Sequence, residues 1–142
     1  MSHHAQMLHG LAQHIADAEL GIYRPDGVYQ PDERGIVISA FPETPEEVIS
    51  VALYQPAYTP FSPTASRRLT VSHIQIRWRT LGDPLNGIDM FDALSHLIDE
   101  QLLNLGPIIA RGRYRSFSPI GQDKNHRTAF TSNWTLTALE AL

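Results

Sequence analysis

The sequence predicts an α+β fold: a mainly antiparallel sheet of four to five strands with two helices on one face, in the order α-β-β-β-α-β-β. Three observations predict it. Residues 69–80 (LTVSHIQIRWRT) place Ile74, Ile76 and Trp78 on one side and His73, Gln75, Arg77 and Arg79 on the other, the period of a half-buried strand. Beyond the break at Gly82-Asp83-Pro84, apolar residues recur at Ile88, Phe91, Leu94, Ile98 and Leu102, the three- and four-residue steps of one helical stripe, with Asp89, Asp92, Asp99 and Glu100 largely off it. Two more alternating runs, near 107–117 and 126–139, then supply a C-terminal strand pair. An apolar strand face and an apolar helix stripe, adjacent in sequence, are most simply buried against each other.

The remaining elements follow in order. Residues 4–19 read as a first helix with Leu8, Leu11, Ile15 and Ala18 on one face and Gly21 as its left-handed end. Residues 22–34 (IYRPDGVYQPDER) form a loop held to the body by Tyr23 and Tyr29. The β-branched run 35–41 (GIVISAF) is a buried strand, and 47–55 a second, antiparallel to it because the link is short. A capping box of Thr44 and Glu47 offers a helix there instead, but the β-branched residues that follow favour a strand. Residues 56–66 (PAYTPFSPTAS) hold three prolines and no charge. They read as a loop: either a binding arm presenting Tyr58 and Phe61, or a segment whose rings tuck onto their own domain. The run 107–117 (PIIARGRYRSF) sets Arg111, Arg113 and Arg115 on one strand face, and residues 119–125 make a hairpin loop. In the last strand Phe130, Ser132, Trp134, Leu136 and Ala138 share a face opposite Arg127, Thr131, Asn133, Thr135 and Thr137.

Composition narrows the function. At 142 residues the chain reads as one domain, 1–142, able to bury about two-thirds of its unfolded surface. It has no cysteine, which removes disulfides, thiolate zinc sites and cysteine nucleophiles and suits a reducing cytoplasm. No apolar run approaches the ~20 residues of a membrane span, and MSHHAQMLHG lacks the pattern of a secretory signal. The net charge of −4 argues against general nucleic-acid affinity. That charge is segregated: residues 1–66 carry eight acids against Arg24 and Arg34, whereas 67–80 carry Arg67, Arg68, Arg77 and Arg79 with no acid. Such a division suits contact with like copies or a charged partner, or internal pairing of the two faces.

A search for chemistry returns little. His3, His4, His9 and His14 are close in sequence but lack the spacing and carboxylate of a metal shell, and His73 and His96 stand alone. There is no nucleophile elbow, no glycine-rich phosphate loop and no acid pair with an acid/base layout. No enzyme activity and no cofactor are expected. What remains is a set of interface candidates: Tyr58, Phe61, Arg67, Arg68, Arg77, Arg79, Arg111, Arg113 and Arg115. If the arginine strands are neighbours they make a basic patch for an acidic subunit face or passing nucleic acid. Otherwise they are a solvated face balanced by acids.

Taken together, LGIYRPDGVY, GIVISAF and PETPEEVISVALY resemble the opening of the tail terminator ("minor capsid") proteins of long-tailed bacteriophages. RLTVSHIQIRWRT before DPLNGIDMFDALSHLIDE fits as well, as does the turn Pro119-Ile120-Gly121-Gln122-Asp123 followed by Arg127 and Phe130. The resemblance implies a virion subunit assembled in the host cytoplasm. It would close a ring, usually a hexamer, at the head-proximal end of the tail. Its partners would be itself, the tail tube protein and the head connector or stopper, with DNA only in passage and no membrane. No catalytic residue is implied. Another neck component, a head-completion or stopper protein, and a nucleic-acid-binding module using the arginine strands are the competing readings.

Overall fold

A computed structural model describes the backbone of residues 1–60 and 67–141, and their side chains apart from 59, 60, 67, 140 and 141. Two helices, α1 (His3–Asp17) and α2 (Leu85–Ile98), accompany seven strands: β1 (Ile22–Tyr23), β2 (Gly35–Ile38), β3 (Val48–Pro60), β4 (Arg67–Thr80), β5 (Leu102–Leu105), β6 (Ile108–Gln122) and β7 (Thr128–Ala141). All strands join one mixed sheet in the order β1-β2-β3-β4-β7-β6-β5. The α+β class and the two helices on one face agree with expectation. The sheet is larger than the four to five strands predicted.

Helix α1 begins at Ser2, whose hydroxyl accepts from the Ala5 N–H at 3.2 Å. Leu8, Leu11 and Ile15 are buried as expected, joined by Met7 and Ala12. The helix ends earlier than predicted, and Glu19 rather than Gly21 takes the left-handed conformation, at φ 62°. Gly21 is small for another reason: a β-carbon there would come within 2.9 Å of Ile36. In the loop after β1, Arg24 grips Glu33 through both guanidinium nitrogens, and the Tyr29 hydroxyl donates to the Ile36 carbonyl.

The expected antiparallel pairing of the first two long strands is overturned. β2 and β3 run parallel, with Gly35 beside Val48 and Ile38 beside Val51. Residues 39–47 therefore travel back only the length of β2, roughly 10–13 Å. Nine extended residues span up to about 30 Å, so no crossover helix is needed. Ser39 opens the reversal at φ 69°. Two buried arginines hold the returning chain. Arg79 donates to the carbonyls of Glu46 at 2.8 Å, Pro45 at 2.7 Å and Glu43 at 3.0 Å. Arg127 donates to the Glu43 carbonyl and carboxylate, both at 3.0 Å, and to Asp123 at 2.7 Å.

The second correction concerns the proline-rich stretch. β3 continues through Pro56 to Pro60, pairing with β4 as far as Pro60 beside Arg68, so residues 56–60 are strand. Proline is tolerated because β2 stops opposite Val51, leaving Ala52 onward at the sheet edge, where a missing N–H breaks no ladder bond. Residues 61–66, including Phe61, lie outside the described chain.

The strand-to-helix turn forms as read. Gly82 has φ 79° and the Asp83 carboxylate accepts from Leu85 N–H at 3.0 Å. α2 then stops at Ile98, short of the predicted Leu102, and 102–105 is strand β5. The cause is local: Glu100 turns left-handed at φ 58°, and its N–H bonds the Gly112 carbonyl at 3.0 Å. Of the expected stripe, Leu94 and Ile98 are buried while Ile88 and Leu102 are exposed. Gly87 and Met90 take inner positions instead.

The core lies between the helices and the even-numbered face of β4 and β7. Trp78, Phe117 and Phe130 stack at 5.8 to 5.9 Å between ring centroids. The Trp78 indole donates to the Gly87 carbonyl at 3.0 Å, tying strand to helix. Buried Ser132 is satisfied from both sides, accepting from Trp134 at 2.7 Å and donating to the Ile76 carbonyl at 2.9 Å.

Candidate assembly surface

Both helices cover one face of the sheet, so strand parity decides which candidate residues reach solvent on the other. On β4 the odd residues share the uncovered face with the odd residues of β7, since His73 pairs with Thr135 and Arg77 with Thr131. On β6 the row continues through Arg113 beside Thr135 and Arg111 beside Thr137. A bulge between Tyr114 and Ser116 would normally shift the face, yet Arg115 stays on it, donating to Thr135 at 2.7 Å. Arg77, Arg111, Arg113 and Arg115 thus share the open face. β7 lies between their strands, so they form a spaced field rather than a tight cluster.

The rest of the candidate set goes elsewhere. Arg79 has the same parity as Arg77 but is only 5% exposed, its guanidinium committed to the three carbonyls of the 43–46 turn. Burial, with Arg127 nearby, lowers its pKa from the ordinary arginine value. It is a structural clamp. Tyr58 and Arg68 lie on the helix-covered side: the Arg68 guanidinium sits 3.8 Å from the Tyr58 ring centre, and the Tyr58 hydroxyl meets His4 at 3.4 Å. Tyr58, at 44% exposed, thus touches its own domain through His4 and Arg68. Arg67 pairs through its backbone with Ala141, and its side chain lies outside the description.

The charge balance of the open face is uneven. Glu100 is shared by Arg111 at 3.8 Å and Arg113 at 3.2 Å, all three side chains being more than half exposed. Arg77 lies 5.0 Å from the Phe41 ring centre. Among the described residues neither Arg77 nor Arg115 has a carboxylate partner. Exposed pairs such as those to Glu100 contribute at most about 1 kcal/mol, so these guanidinium groups can be recruited by another surface.

An apolar patch adjoins the arginines, unforeseen from sequence. Leu102 pairs with Arg111, and Ile109 and Leu139 lie one step further along β6 and β7. They are 70%, 59% and 47% exposed. The signal was present: Ile109 and Leu139 are large apolar residues at positions whose parity is otherwise mostly arginine or threonine. Leu102 was hidden because its spacing extends the α2 stripe.

Among the described residues no group of three or more His, Cys, Asp or Glu is placed to hold a metal, and no helix is long and apolar enough to cross a membrane. The cleft beside Tyr23, Arg24, Tyr29 and Ile38 is lined by groups already engaged in the loop's own bonds.

No family model matches the sequence, and no curated protein matches it. A chain in a solved structure described as the virion of a native gene transfer agent particle has a similar fold. Its TM-score is 0.54 at 14% identity, covering 73% of this chain and 78% of that one. Over that part of its length the chain thus shares its fold with a component of that particle.

Proposed function

We propose that this chain is a structural subunit of a phage-like virion, and more narrowly a tail terminator. In this reading 1–142 is a single domain that closes a ring, a hexamer by resemblance, at the head-proximal end of the tail. It would halt tube polymerisation and meet the head connector or stopper, while DNA passes through the lumen. The observation that carries the proposal is the fold shared with a chain of the gene transfer agent particle. The sequence resemblance to tail terminators supports the finer assignment. An open sheet face carrying four arginines and exposed leucine and isoleucine suits docking between subunits.

The test is tube assembly in vitro. Tail tube protein polymerised with this chain should give tubes capped at one end and shorter than those formed alone, seen by electron microscopy. Unchanged tube lengths with no density at the tips would refute the terminator role. Retention of packaged DNA in isolated heads would instead identify a stopper. Tight duplex-DNA binding with a steep salt slope would identify the nucleic-acid reading.

A further inference from the structure

We propose that the apolar patch of the open face, rimmed by Arg111 and Arg113, docks onto the outer stripe of α2 in a second copy of this chain. The inference rests on the ring-subunit reading for its choice of a like copy, and it names the two surfaces that meet.

The first surface is Leu102, Ile109 and Leu139, all exposed, with the two arginines beside them. The second is on α2. Leu85 and Ile88 are 63% and 38% exposed, and Asp89 and Asp92 follow on the same side at helical spacing. Among the described residues neither aspartate forms an ion pair. Each surface therefore places apolar residues beside charge: net positive on the first, where one Glu100 carboxylate is shared by the two arginines, and negative on the second.

Geometry selects this pairing over the symmetric ones. α2 packs on the covered face of the sheet, since Trp78 and Phe130 both meet Gly87. The two surfaces thus lie on opposite sides of the molecule, and one subunit can use both at once. Contact between unlike surfaces is head-to-tail, which closes a ring or propagates. Open face against open face would set arginine against arginine, and α2 against α2 would set aspartate against aspartate.

The absence of cysteine from the chain gives a clean test. Ile109→Cys and Ile88→Cys place single thiols on the two surfaces, and both sites are exposed, so the fold is retained by circular dichroism. Mixed and oxidised, the two variants should form a disulfide-linked heterodimer at least tenfold faster than Ile109→Cys with Asp26→Cys, an exposed site on the loop after β1 and outside both surfaces. Neither variant alone should self-link. Arg111→Glu with Arg113→Glu in the Ile109→Cys chain should suppress the link, and Asp89→Lys with Asp92→Lys in the other should restore it. Self-linking of Ile109→Cys, a rate equal to the Asp26→Cys control, or no restoration by the charge reversal would overturn the proposal. A chain that cross-links as expected but leaves tube lengths unchanged would keep this interface and remove the terminator role.

Discussion

Gly87→Ala tests the packing of α2 on the sheet. On an exposed helix this change stabilises by about 1 kcal/mol, because alanine is the better helix former. Here the added β-carbon would run into the Phe130 ring, whose Cε2, Cδ2 and Cζ atoms are its nearest neighbours. Phe130 cannot swing away cheaply. It packs against both Trp78 at 5.9 Å and Phe117 at 5.8 Å, and Trp78 is itself anchored to the Gly87 carbonyl. Overpacking of this kind costs about 1–3 kcal/mol, and stretching the indole bond adds about 1 kcal/mol. Set against the propensity gain, the net expectation is a loss of about 1–3 kcal/mol, or roughly 3–12 °C in Tm. Urea and thermal unfolding followed by circular dichroism measure it, with the near-ultraviolet band reporting on Trp78. Phe130→Leu should relieve the crowding, so the same alanine added to that background should cost less than about 0.5 kcal/mol. If Gly87→Ala raises the stability of the otherwise unchanged chain, the close helix–sheet contact is wrong.

Two further outcomes are expected. Arg79→Met should destabilise by about 2–3 kcal/mol in urea unfolding, because the Pro45 and Glu46 carbonyls lose their arginine donor and the Glu43 carbonyl keeps only Arg127, whereas Arg77→Met should stay within about 0.5 kcal/mol; equal effects would contradict the division between clamp and surface. Glu33, held by Arg24 and by the Gln30 N–H, has its pKa lowered to about 2. A carboxylate more acidic folded than unfolded contributes stability that is present above its ordinary pKa and lost as pH falls through the folded value. A carbon-detected NMR titration should therefore place the Glu33 midpoint near 2, and Arg24→Ala should move it back toward the usual carboxylate range.

Regular periodicity was the legible part of the fold. β4, the faces of β7 and the stripe at Leu94 and Ile98 could be read directly, because alternation and helical spacing there are set by burial on one side. Where two rules overlapped, the chain chose otherwise. Leu102 keeps α2's spacing, but Glu100 breaks the helix to pair with β6. β1 is two residues long, too short for any period. The parallel turn of β2 into β3 is fixed by Arg79 of β4 and by Arg127 in the turn before β7, both distant from it in sequence. The assembly surface was half legible. The arginine parity of β6 placed Arg111 and Arg113, but Arg77 and Arg79 are indistinguishable by parity, and only the folded 43–46 turn separates them.

The prolines of β3 carry a consequence for behaviour in concentrated solution. From Ala52 outward that strand has no neighbour on one side among the described residues, a backbone row that could recruit strands from other molecules and grow into fibres. Pro56 and Pro60 interrupt the row of amide donors, so an incoming strand meets gaps where it needs a continuous template. The chain is thereby shielded along that free margin from unlimited stacking.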